Sequence, residues 1–131
     1  MVKEPGSTEG LDRLVAIGLA SGRLAIGAGL WAAPQQAGRL LGFDALQGPA
    51  LALARIAASR DLVLGAWQLA SLNDRQALRR ATVGVAAADA GDAATFALAL
   101  SDRRTRLAGV RGLPAAAAAT AAGAWLVARL G

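Results

Sequence analysis

Residues 50–72 read ALALARIAASRDLVLGAWQLASL, an apolar run interrupted by Arg55 and by the adjacent pair Arg60-Asp61, and closed by Asn73-Asp74-Arg75. As a helix rising 1.5 Å per residue it is about 34 Å long, enough to cross the roughly 30 Å hydrocarbon core of a bilayer. Three other stretches have the same form. Residues 14–33 lie between Asp12-Arg13 and Pro34. Residues 81–100 lie between Arg79-Arg80 and Ser101-Asp102-Arg103-Arg104, and residues 113–130 open at Leu113-Pro114, where proline suits a first helical turn. The expected architecture is all-α: a four-transmembrane-helix bundle forming one integral membrane domain over residues 1–131, with residues 1–12 as a flexible tail. Between the first two spans, residues 34–49 contain Gly38, Gly42, Gly48 and the cluster Leu40, Leu41, Phe43, a loop with a short helical piece at the interface.

Composition agrees with this pattern. Hydrophobic residues make up 55% of the 131 and charged residues 18%, against about 25% charged in an average soluble domain. The apolar content is mostly alanine, with 16 glycines and few large rings, so small-residue helices are expected in place of a sheet. A soluble alanine-rich bundle is the competing reading, but it needs a polar stripe on each helix, and residues 112–128 have none. A cleaved signal peptide does not fit residues 14–33, which are long, contain Arg23 and precede three more apolar segments.

The inventory also excludes chemistry. Cys, His and Tyr are absent, which removes thiol nucleophiles, histidine triads, zinc motifs and histidine relays. The formal charge of +5 comes from short arginine blocks beside apolar spans, without interleaved aromatics to stack bases. Membrane lipid, not nucleic acid, is the expected partner, and the chain is expected in the cell membrane as a multi-pass protein. Six flanking cations on the side of the termini against five on the other lean toward cytoplasmic termini. Small residues four apart, led by Gly18 and Gly22, are expected to pack the bundle internally, with a homo-oligomer as the second reading.

The few charges inside the spans fall in one layer. Arg23, Arg60, Asp61, Asp89 and Asp92 all lie within about two residues of their helix midpoints, about 3 Å in depth. Each ion near a bilayer centre costs roughly 2.5–3.5 kcal/mol on insertion scales, so five in one plane need mutual compensation. Asp61 shares a face with Ala58, Gly65 and Gln68, Arg60 shares one with Leu64 and Trp67, and Asp89 and Asp92 are three apart on one face. Two arginines and three aspartates sum to minus one. Two aspartates are expected to pair with Arg23 and Arg60, and the third to keep a proton near neutral pH. A metal is not expected, since two arginines oppose it and oxygen ligands are few. No cofactor is expected.

Pro34 followed by Leu40-Leu41-Gly42, then Ala58-Ser59-Arg60-Asp61-Leu62-Val63-Leu64-Gly65, then Asp89-Ala90-Gly91-Asp92-Ala93 resembles a widespread bacterial family of small four-span integral membrane proteins of unassigned function. The resemblance implies the four-span fold and marks Arg60, Asp61, Asp89 and Asp92. It carries no activity with it.

The expected function is a small membrane enzyme or binder for a lipophilic molecule of isoprenoid or polyketide type. Asp89, Asp92 and Asp61 are the candidate acid/base residues, and Arg23, Arg60, Trp67 and Gln68 the candidate substrate-binding ones. Isomerisation, cyclisation or epoxide opening is the matching chemistry, since no redox group or thiol is present. The alternatives are a structural or accessory subunit of a membrane complex, with the charges as helix-packing glue, and ion or proton passage.

Overall fold

The computed structural model describes residues 8–131. Among these it holds five helices and no strand: α1 (Thr8–Ala32), α2 (Pro34–Leu40), α3 (Pro49–Ala70), α4 (Arg75–Ala99) and α5 (Arg106–Leu130). The four long helices run up, down, up and down. At one end Arg13 donates to the Leu72 carbonyl and to Asn73, and Arg129 donates to Asp12 at 2.5 Å, which gathers the start of α1, the α3–α4 turn and the end of α5. At the other end Arg111 donates to the Arg39 carbonyl, tying α5 to α2.

The bundle is two tight pairs loosely joined. α1 packs along α3, and α4 along α5, whereas α3 against α4 and α1 against α5 touch far less. Glycines set the close approaches within each pair. A Cβ at Gly27 would stand 2.9 Å from the Ala58 carbonyl oxygen, one at Gly65 3.0 Å from that of Ala20, and one at Gly109 2.7 Å from that of Phe96.

Several boundaries differ from those expected. α4 starts six residues before residue 81, because Asp74 caps it by accepting the Ala77 N–H at 2.9 Å. Arg79 and Arg80 are therefore helical and not loop residues. α5 starts at Arg106, which leaves Pro114 inside the helix instead of in its first turn. The added turns are held by Gly109 and Gly112, which bring α5 against Phe96 and Leu100 of α4. Residues 8–12 belong to α1 and not to a tail, since Asp12 is buried against Arg129. The rest of the expected tail, residues 1–7, lies outside the described residues. The short helix expected between Pro34 and Pro49 is α2, and Gly42 and Gly48 with positive φ shape the loop after it.

Among the described residues two helices, not four, are long and apolar enough by composition to cross a membrane: α1 over Glu9–Ala32 and α5 over Arg106–Leu130. α3 carries Arg55, Arg60 and Asp61 within 22 residues, and α4 opens with three arginines and holds Asp89 and Asp92. The expected small-residue packing is also revised. Gly18 and Gly22 face outward with nothing near them, and α1 meets α3 through Gly27 instead.

Many large apolar side chains lie outside, although Leu30, Leu46, Leu78, Val85, Leu126 and Leu130 are buried. Leu14, Ile26, Leu53, Ile56, Val63, Val83, Leu98 and Val110 are exposed. Asp12, Arg23, Asp61, Gln68, Ser71, Thr82 and Asp89 are buried, among alanines that are fully enclosed: Ala16, Ala20, Ala58 and Ala81. The outer surface of α3 from Ala50 to Ala70 is apolar save for Arg55, Ser59 and the half-buried Arg60, and that of α4 from Val83 to Leu98 is apolar save for Thr95 and the half-buried Asp92. Thr95 satisfies its hydroxyl on the Gly91 carbonyl.

Candidate functional site

The five charged residues of the expected layer meet. Arg23 projects from the middle of α1 between α3 and α4, donating from Nη1 to Asp61 Oδ1 at 2.6 Å and from Nη2 to Asp89 Oδ1. Arg60 continues the chain from α3. It reaches back to Asp61 Oδ1 at 3.1 Å and closes a two-pronged bridge on Asp92 of α4, Nη1 to Oδ1 at 3.0 Å and Nη2 to Oδ2 at 2.8 Å. The order is Asp89, Arg23, Asp61, Arg60, Asp92. Asp61 thus serves both arginines.

The helices make this geometry. α3 and α4 run antiparallel, so a step back along α3 matches a step forward along α4: Gln68 meets Thr82, and seven residues further along each helix Asp61 and Asp89 share Arg23. Ala58, Asp61, Gly65 and Gln68 form the buried edge of α3, and Leu78, Thr82, Val85 and Asp89 that of α4. Ala16, Ala20, Arg23 and Gly27 line the facing edge of α1. Asp92, one turn beyond Asp89, falls nearer the surface and meets Arg60, which is one position off the buried edge of α3.

Burial changes along the network. The side chains of Arg23, Asp61 and Asp89 are 6%, 10% and 10% exposed, whereas those of Arg60 and Asp92 are 39% and 30% exposed. The inner three residues lock the two helix pairs together where apolar packing is thin. The outer two open on the α3–α4 seam. All hydrogen bonds to Asp61 and Asp89 fall on Oδ1, while both oxygens of Asp92 are taken by Arg60.

Gln68 lies elsewhere. Seven residues from Asp61, about 10 Å along α3, it is fully buried and donates to Thr82 Oγ1 at 3.2 Å, and Thr82 in turn donates to the Leu78 carbonyl. Among the described residues its Oε1 has no partner. Trp67 stands apart from the charges as well, half exposed with its ring against Gly84 across the seam. Arg55 turns outward over the Trp31 ring at 5.5 Å, and the Trp31 ring N–H donates to Ser59.

Sequence reading missed Thr82 and the Asp12–Arg129 pair. Thr82 sits seven residues before Asp89, a spacing that could have flagged it. No local signal links residues 117 apart. Among the described residues no group of three or more carboxylates is close enough to hold a metal ion. An open cleft of about 440 Å³ lies away from the charges, at the start of α4 and the end of α5. The chain matches no protein-family model, no curated protein and no solved structure.

Proposed function

We propose that this chain is an integral membrane bundle whose four long helices all cross the bilayer, and that it binds a lipophilic small molecule carrying a polar group, with Arg60 and Asp92 engaging that group at the α3–α4 seam. The observation that carries the binding reading is the exposure gradient: one continuous ion-pair network is sealed at Arg23 and open at Arg60–Asp92. The membrane reading rests on the largely apolar outer surface of α1, α3, α5 and of α4 beyond Val83, and on the ion pairs buried between them. Opposite charges that neutralise one another inside α3 and α4 lower the cost of placing those helices in lipid.

A molecule diffusing in the bilayer meets Arg60 and Asp92 from the side, with the open backbone of Gly91 beside them and exposed Trp67 about 10 Å further along the seam. A hydroxyl, carbonyl or carboxyl group can replace part of the Arg60 fork. An acid/base step such as isomerisation, cyclisation or epoxide opening then falls to Asp92, the most exposed of the three carboxylates, with Asp61 and Asp89 holding the arginines behind it.

The test is mass spectrometry of the organic extract of purified chain. Wild type is expected to carry a lipophilic compound that Asp92→Asn and Arg60→Gln lose about tenfold, one charge-assisted contact being worth roughly 1.5–3 kcal/mol. A second reading, helix-packing glue in an accessory subunit, is favoured by the fact that all three carboxylates have an arginine partner. It predicts empty wild-type protein and variants that lose stability alone.

A further inference from the structure

The open cleft at the rim of the bundle is lined by Arg75, Gln76 and Arg79 of α4 and by Leu130 and Gly131 at the end of α5. We propose that it binds the phosphate of an anionic phospholipid headgroup, a proposal that rests on the membrane reading above.

Position is the first argument. The apolar outer surface of α4 begins at Val83, one turn beyond Arg79, so the cleft lies where hydrocarbon gives way to headgroups. Trp125 marks the same rim, with the Arg129 guanidinium over its ring at 4.9 Å, an arrangement suited to the interface.

Charge is the second. Arg75 and Arg79 stand one turn apart along one edge of α4. Among the described residues neither has a carboxylate partner, because Asp74 is spent on the Ala77 N–H and Asp12 on Arg129. Arg75 donates from Nη2 to the Arg129 carbonyl at 2.6 Å, which braces the end of α5 as the far wall. Arg79 is thereby the guanidinium left to fork onto phosphate oxygens. The Gln76 amide adds a donor.

The test uses the full chain in detergent, titrated in native mass spectrometry with phosphatidylglycerol, with phosphatidylcholine of the same acyl chains, and with inorganic phosphate. Phosphatidylglycerol is expected to bind about tenfold more tightly than phosphatidylcholine. Arg79→Gln should bring the two to parity, and Arg104→Gln at the opposite rim should leave the preference intact. Equal binding of both lipids to wild type overturns the proposal, as does a preference that survives Arg79→Gln or is lost equally in Arg104→Gln. Inorganic phosphate displacing phosphatidylglycerol at equal concentration overturns the lipid source in favour of free phosphate. Release of the chain from membranes by alkaline carbonate overturns the membrane reading itself. A chain that stays with the bilayer but shows no lipid preference overturns the cleft alone.

Discussion

Arg23 holds two carboxylates from two different helices on one guanidinium. Removing it leaves Asp61 with Arg60 alone and Asp89 with no cation, and breaking a buried pair in this way costs about 3–5 kcal/mol. Arg23→Leu is therefore expected to unfold at markedly lower denaturant than wild type, followed by helical circular dichroism in detergent; an unchanged midpoint would remove the lock from the account. Gln68 behaves in the opposite sense. Its Oε1 is buried without a donor, and Thr82 keeps its own bond to Leu78 if Gln68 is lost. Gln68→Leu is expected to change stability by less than about 1 kcal/mol, or to raise it, because an unmet acceptor disappears with the side chain. A large loss in the same melt would mean that Oε1 has a partner in solution. That these residues share a level was legible from their positions in the chain. Which carboxylate each arginine takes was not, because every pairing of two arginines with three aspartates has the same charge sum.

At the scale of elements, glycine reports which helix faces are covered. Gly112 of α5 lies against the Phe96 ring of α4, with no room for a Cβ, whereas Gly18 and Gly22 of α1 have open space around them. Gly112→Ala is expected to cost about 1–3 kcal/mol through overpacking. Gly18→Ala and Gly22→Ala should be neutral or stabilising by about 0.5–1 kcal/mol, since alanine favours the helix. Thermal unfolding of the three variants in one detergent checks the contrast, and destabilisation by Gly18→Ala together with a change in oligomeric state would place a second copy on that face. The spacing of small residues could be read directly, but spacing alone cannot say which stripe is buried. Helix ends are hidden from local sequence for a related reason. Runs of arginine at 79–80 and 103–106 look like boundaries, yet the Asp74 cap and the contact of Gly109 and Gly112 with Phe96 carry α4 and α5 past them.

At the scale of the whole molecule, Arg23, Asp61 and Asp89 are buried at mid-bundle and large apolar side chains such as Leu14, Ile56, Val63 and Leu98 are exposed, although Leu30, Leu78, Val85, Leu126 and Leu130 are buried as in a core packed away from water. Membranes washed with alkaline carbonate are expected to retain the chain, and its appearance in the supernatant would favour a soluble bundle. The sequence by itself determined an all-helical chain, four long helices, the short α2 after Pro34 and a single level of charge, because apolar period, proline, glycine and helical rise are local properties. Tertiary structure alone decided that α1 pairs with α3 and α4 with α5, that Arg23 bridges both pairs, and that Arg60–Asp92 faces outward while Asp89 does not. The reason is physical: periodicity assigns residues to the faces of one helix, but the rotation and depth of one helix against another follow from contacts such as Gly27 on Ala58 and Gly65 on Ala20. No single segment contains those contacts.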